Sequence, residues 1–236
     1  MNHPAHFPKG TLPIVPQPKP SRRFIKRPSA HITFVLDRSG SMRSIWDDVK
    51  GGYKEFIEKQ QTEKGKCSFT LNVFDDKFET PVKNKPIKKV STKLSVRPRG
   101  WTALLDAMGR SIQETKDYLK SIPKPHRPTR VLIAVQTDGQ ENSSKEYSSS
   151  EVKKLIKKCE KKGWEFMFFG SDLSSVKLAE RVGFSGANTA YYDPKNFGET
   201  MSLNAGKVAD FRGATSTTDA KKALSYSDSD RRKMSK

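Results

Sequence analysis

Apolar positions come in short blocks, separated by longer stretches in which they recur every three or four residues. Ile32 to Leu36 is a continuous apolar run broken only by Thr33, and it reads as a buried strand. Ile45, Val49, Tyr53, Phe56 and Ile57 follow at helical spacing, with Ser44 as the expected N-cap and Gly51-Gly52 allowing close packing on a sheet. Cys67, Phe69, Leu71 and Val73 alternate, and Asp75-Asp76-Lys77 turns the chain into Phe78 to Val82, which predicts a β-hairpin. Leu104, Leu105, Met108, Ile112 and Leu119 mark a helix that Thr102 is expected to cap. Val131 to Val135 is the most apolar run and predicts a central strand. A helix over 151–162, a strand from Trp164 to Gly170, a short helix capped by Asp172, a strand near 187–192 and a helix from Pro194 to about Phe211 complete the order. Strands alternating with helices predict an α/β fold. The expected sheet is doubly wound, mostly parallel and Rossmann-like, with one antiparallel edge hairpin and helices on both faces.

The two ends break this pattern. Residues 1–29 hold prolines at 4, 8, 13, 16, 18, 20 and 28 and six basic residues with no acid, which predicts an extended basic arm. Residues 212–236 are rich in Ser, Thr and Lys and predict a polar, basic, mobile tail. The expected folded unit is 30–211.

The chemistry begins where the first strand ends, at Asp37-Arg38-Ser39-Gly40-Ser41-Met42. Asp37, Ser39 and Ser41 are oxygen donors two residues apart, and a turn at Gly40 aims them at one point. Oxygen-only ligation suits a hard cation such as Mg²⁺ or Ca²⁺ rather than zinc. Ligand sites in open α/β sheets lie at the carboxyl ends of strands, where the first and fourth strands would bring Asp37 and Asp138 together.

This D-x-S-x-S stretch resembles the metal-ion-dependent adhesion site (MIDAS) of von Willebrand factor A domains. Gly100-Trp101-Thr102-Ala103-Leu104 resembles that family's threonine loop. Val131 to Thr137 followed by Asp138-Gly139 resembles the strand that delivers its second aspartate. The likeness covers roughly residues 30 to 200 and is closest to bacterial and phage single-domain versions. It implies that Ser39, Ser41 and Thr102 contact a divalent metal, magnesium first and manganese or calcium as substitutes, while Asp37 and Asp138 balance its charge. It also implies a non-enzymatic interaction module, in which an Asp or Glu of a protein partner completes the metal's coordination. Arg38, Trp101 and Glu141 stand beside these motifs and are the candidate partner contacts.

The formal net charge of +19 adds a second possibility, attraction to nucleic acid or another anionic surface through the basic ends. No helix-turn-helix or aromatic RNA-binding signature accompanies it. A metal-dependent phosphatase or nuclease is the third reading, but Asp37-Arg38-Ser39 lacks the D-x-D of aspartyl phosphatases and a two-metal nuclease needs more carboxylates. The sequence has neither a phosphate-binding G-x-x-x-x-G-K-[ST] loop nor a G-x-G-x-x-G fingerprint after a strand. Cys67 and Cys159 are not spaced as a metal or disulfide framework. With no membrane-length apolar run and no signal-peptide core, the expected location is the cytoplasm, or a particle such as a phage assembled there.

Overall fold

The computed structural model describes residues 28–235, so all of the proline-rich arm except Pro28 and Ser29 lies outside the described residues. Six strands form one sheet: β1 (Ala30–Asp37), β2 (Cys67–Phe74), β3 (Phe78–Pro86), β4 (Arg130–Thr137), β5 (Trp164–Gly170) and β6 (Thr189–Tyr191). Their spatial order is β3-β2-β1-β4-β5-β6. Only the β2–β3 hairpin is antiparallel. This is the doubly wound, mostly parallel sheet expected from the strand-helix alternation.

The faces of the sheet follow the two-residue period of each strand. Ile32, Phe34 and Leu36 of β1, Leu132 and Ala134 of β4, and Met167 and Phe169 of β5 point to one core. Two helices cover it, α1 (Trp46–Thr62) and α5 (Phe197–Gly213). Val35, Ile133, Val135, Phe166 and Phe168 point to the other. It is covered by α2 (Leu104–Ser121), α3 (Ser149–Glu160) and α4 (Leu173–Arg181). Gly52 performs the role its sequence position implies: a Cβ there would lie 2.6 Å from Met201 Cγ of α5. Gly51 faces open space and has no such role.

Several local expectations change. A 3₁₀ turn, Gly40–Ile45, intervenes before α1, so Ser44 is not its cap. The third helix starts earlier than expected, at Ser149, and Ser148 caps it through a capping box with Glu151. The largest change is at the C-terminus. Two short helices, α6 (Thr217–Ala223) and α7 (Asp228–Met234), occupy the segment expected to be a mobile tail. Ala220, Leu224, Tyr226 and Met234 are buried in the α1–α5 core. These apolar residues are too few and too widely spaced to show a helical period, yet each reaches the core. Ser216 and Ser227 supply the two N-caps. Among the described residues no helix is long and apolar enough to cross a membrane.

Candidate metal centre

Strand register places the chemistry. Leu36 of β1 lies beside Gln136 of β4, and Asp37 lies beside Phe74 of β2. The chain therefore leaves β1, β2 and β4 at one level, at Asp37, Asp75 and Asp138. β1 and β4 are the neighbours where the winding reverses, which is where open sheets leave a crevice.

The Asp37 carboxylate is fully buried. Its Oδ1 accepts the Ser39 amide at 2.6 Å, and its Oδ2 accepts the Thr137 hydroxyl. This bond folds the chain after β1 so that Ser39 and Ser41 turn inward together, their Oγ atoms 3.1 Å apart. Ser41 Oγ donates to Asp138 Oδ1 at 2.7 Å, closing the group across the β1–β4 seam. Thr102 joins from a third loop. A Cβ placed on Gly139 would lie 2.9 Å from Thr102 Oγ1 and 3.4 Å from Ser41 Oγ, so both hydroxyls border the same small space. All five expected donors are thus gathered at one sheet edge.

Thr102 does not cap α2, as the sequence had implied. That helix starts at Leu104, and the Leu105 amide donates to Glu141 Oε2 at 2.8 Å. The Thr102 amide donates to Asn142 Oδ1 at 2.9 Å, and the Asn142 amide returns a bond to the Thr102 carbonyl. On its other side the loop is held by Gly40 N–H donating to the Gly100 carbonyl at 3.1 Å. Gly100 adopts φ +68°, where a side chain is strained, and a Cβ there would collide with Asp76.

The three candidate partner contacts separate. Trp101 is 69% exposed. Glu141 is committed elsewhere: besides Leu105 it accepts the amides of Ser143 and Ser144 and the Ser144 hydroxyl, which stitches the polar loop to the start of α2. Arg38 is almost fully buried and turns away from the site. Its Nη1 and Nη2 donate to Glu79 at 3.1 and 2.7 Å. Its Nε lies 3.1 Å from Asp75 Oδ2 but is poorly aligned for a hydrogen bond, so that contact is mainly Coulombic. Alternate residues in an extended turn face opposite ways, and Arg38 lies between Asp37 and Ser39. Asp172, the other acid at a strand end, accepts the Ser175 amide and is the N-cap of α4.

Sequence reasoning missed Asp75, Thr137 and Asn142, which position the donors without joining them. Asp75 carries a signal, as a carboxylate ending a strand level with β1, but its local sequence marks it only as part of a turn.

The von Willebrand factor type A domain model matches residues 31–205, about three quarters of the chain. The chain belongs to the von Willebrand factor type A domain family. No curated protein sequence matches it. Solved structures with the same fold include proximal thread matrix protein 1 from the mussel byssus (18% identity, TM-score 0.52, 74% of this chain and 44% of that one). Another is a von Willebrand factor type A protein from Catenulispora acidiphila (15%, TM-score 0.53, 78% and 43%). A third is manganese-loaded TRAP from Plasmodium vivax (13%, TM-score 0.52, 74% and 72%). At these identities the likeness is one of fold. The chain spans less than half the length of the mussel and Catenulispora chains.

Whether this vWA domain's residues suit a metal is decided by its own charges. Burial pushes the Asp37 carboxyl up to about 7, against the pull of the Thr137 hydroxyl and the Ser39 amide, and the nearby Asp138 charge pushes the same way. Asp138 is also raised, by burial first, with the Ser41 hydroxyl opposing. The Arg38 guanidinium, next in sequence to Asp37, is spent on Asp75 and Glu79. One fully buried acid and one half-buried acid without an ion-pair partner, bordered by three neutral hydroxyls, form a donor set short of positive charge. The converging atoms are hydroxyl and carboxylate oxygens, a donor set of the hard-cation kind. The residues fit a divalent cation.

Proposed function

We propose that this vWA domain is a non-enzymatic protein-binding module that takes a partner's carboxylate through a divalent metal. Ser39, Ser41 and Thr102 would hold the ion, with Asp37 and Asp138 balancing its charge. The observation that carries the reading is the hydrogen-bonded convergence of Ser39, Ser41 and Asp138 across the β1–β4 seam. When bound, the metal supplies an electrophilic centre for an anionic oxygen. The chain's part is to present neutral hydroxyls, which leave the ion's charge unspent for an incoming Asp or Glu, and to keep the Arg38 guanidinium turned away, where it does not repel the ion. Magnesium suits hydroxyl and carboxylate donors best. TRAP from Plasmodium vivax has been solved loaded with manganese, and the mussel protein with zinc in its MIDAS. A role within a larger assembly, such as a phage particle, accords with a single small interaction domain.

Thermal unfolding tests the reading, because a ligand of the native state raises its midpoint. The wild type should gain several degrees in Mg²⁺ or Mn²⁺ over chelator, and Ser41→Ala and Asp138→Asn should not. A wild type indifferent to Mg²⁺, Mn²⁺ and Ca²⁺ alike overturns it. The net charge of +19 favours a second reading, binding to nucleic acid. Binding with a steep salt dependence but no response to chelator would select that one.

A further inference from the structure

Trp101 and Leu173, 69% and 60% exposed, are the two exposed large hydrophobic side chains among the described residues. Both stand beside the candidate metal centre. Trp101 immediately precedes Thr102. Leu173 opens α4 immediately after Asp172, whose Oδ1 accepts from the side chain of Gln140, two residues beyond Asp138. The two residues lie in different loops at the same carboxyl edge of the sheet: one follows the β2–β3 hairpin, the other follows β5.

Neither loop is loosely held. Trp101 sits between Gly100, whose carbonyl accepts from Gly40, and Thr102, whose amide donates to Asn142. Leu173 sits on a helix start fixed by Asp172, which accepts the Ser175 amide and the Ser174 hydroxyl. An exposed apolar side chain on an anchored backbone loses little conformational freedom when covered, and tryptophan is among the residues that contribute most at interfaces. Arg43 and Arg97 are also exposed in loops at this edge, and they add positive charge around it.

We propose that Trp101, the metal centre and Leu173 form one docking surface, whose partner is a protein segment carrying an Asp or Glu with aromatic or aliphatic residues a few positions away. This rests on the metal-dependent reading above and adds the partner's flanking chemistry to it. The metal takes the carboxylate, while Trp101 and Leu173 select for apolar neighbours and against an isolated acid on a polar surface.

The test is selection of a displayed nine-residue peptide library, with a fixed central Asp and randomised flanks, on the full chain in Mg²⁺ with elution by EDTA. Peptides rich in Trp, Phe, Tyr, Leu or Ile near the Asp should emerge. Trp101→Ser and Leu173→Ser should each weaken them about tenfold, and Trp101→Phe should retain most of the affinity. EDTA-sensitive peptides without apolar enrichment, or peptides bound equally by both serine variants, would overturn the proposal while leaving the metal reading intact. So would failure to recover any EDTA-sensitive peptide from a protein whose midpoint still rises with Mg²⁺. A wild type with no metal-dependent midpoint would instead remove the reading beneath the proposal, and the proposal with it.

Discussion

Thr137 donates its hydroxyl to Asp37 Oδ2, so the strand that delivers one acid of the site also holds the acid delivered by its neighbour. Both groups are fully buried. Thr137→Val keeps the shape of the side chain and leaves a buried carboxylate oxygen without its donor, at a cost of about 1–3 kcal/mol. Urea unfolding in chelator should show that loss. The midpoint rise with Mg²⁺ should also shrink, because Asp37 is no longer held in place.

Asp37→Asn should behave in the opposite way in the metal-free protein. It removes a buried charge that has no cation nearby, so the chelated variant should be at least as stable as the wild type. It should gain nothing from Mg²⁺. A large loss of stability in chelator would show that the carboxylate's hydrogen bonds outweigh its desolvation. The comparison measures how far the fold is strained to keep a binding site.

Gly139→Ala tests the space rather than the donors. Its Cβ would press on Thr102 Oγ1 at 2.9 Å and narrow the gap beside Ser41. Thr102 is buried and has little room to yield. The clash should cost the fold about 1–3 kcal/mol, the usual range for overpacking. The variant should bind Mg²⁺ or Mn²⁺ at least tenfold more weakly by calorimetry.

Asp75 holds a different part of the same edge. It is buried against Arg38 and accepts Arg99 Nε at 2.8 Å, while its carbonyl accepts the Ala103 amide. Asp75→Asn takes one of two counter-charges from the buried Arg38 guanidinium while its bonds to Glu79 remain, so the loss should stay below the about 3–5 kcal/mol of a fully broken buried pair. Denaturant midpoints would show this. Replacing Arg38 with Met in the same chain should recover part of the loss.

His31 predicts the acid response. It is fully buried, its two ring nitrogens meet the Ser68 and Thr33 hydroxyls, and burial lowers its pKa from 6.5 to about 3. Below pH 6.5 the unfolded chain therefore binds a proton that the folded chain refuses, so the contribution of His31 to stability falls as the pH falls. That contribution should drop by about 2 kcal/mol between pH 8 and pH 5 and go on falling until about pH 3. Asp37, with its carboxyl raised to about 7, works in the opposite direction below pH 7, so the His31 effect is read from the difference between the wild type and His31→Gln, which should grow as the pH is lowered across this range.

The sheet and its helices were legible because β1, β4 and β5 are dense apolar runs and α1 and α2 carry clear helical periods. The five candidate donors could be nominated because a family resemblance supplied Thr102 and Asp138, which no local spacing links to Asp37. What could not be read was which way side chains turn. Arg38 lies in the middle of the motif, and only the position of Asp75 and Glu79 on the neighbouring hairpin explains why its charge leaves the site. Glu141 looked like a site acid, but its proximity to the first turn of α2 is a tertiary fact. The C-terminal helices escaped because their burial rests on four scattered residues, not on a repeating pattern.

Those helices also finish the sheet. β6 is only three residues long and would otherwise end it with unpaired backbone. Arg231 of α7 instead donates to the Thr189 and Gly186 carbonyls, and the Asp193 amide donates to the Met234 carbonyl. At the far edge, β3 carries Pro81, Lys83, Lys85 and Pro86, residues that discourage an incoming strand. With both borders guarded, copies of this domain at high local concentration are protected from zipping together strand to strand. Contacts with other molecules are then left to loops and helix faces rather than to strand pairing.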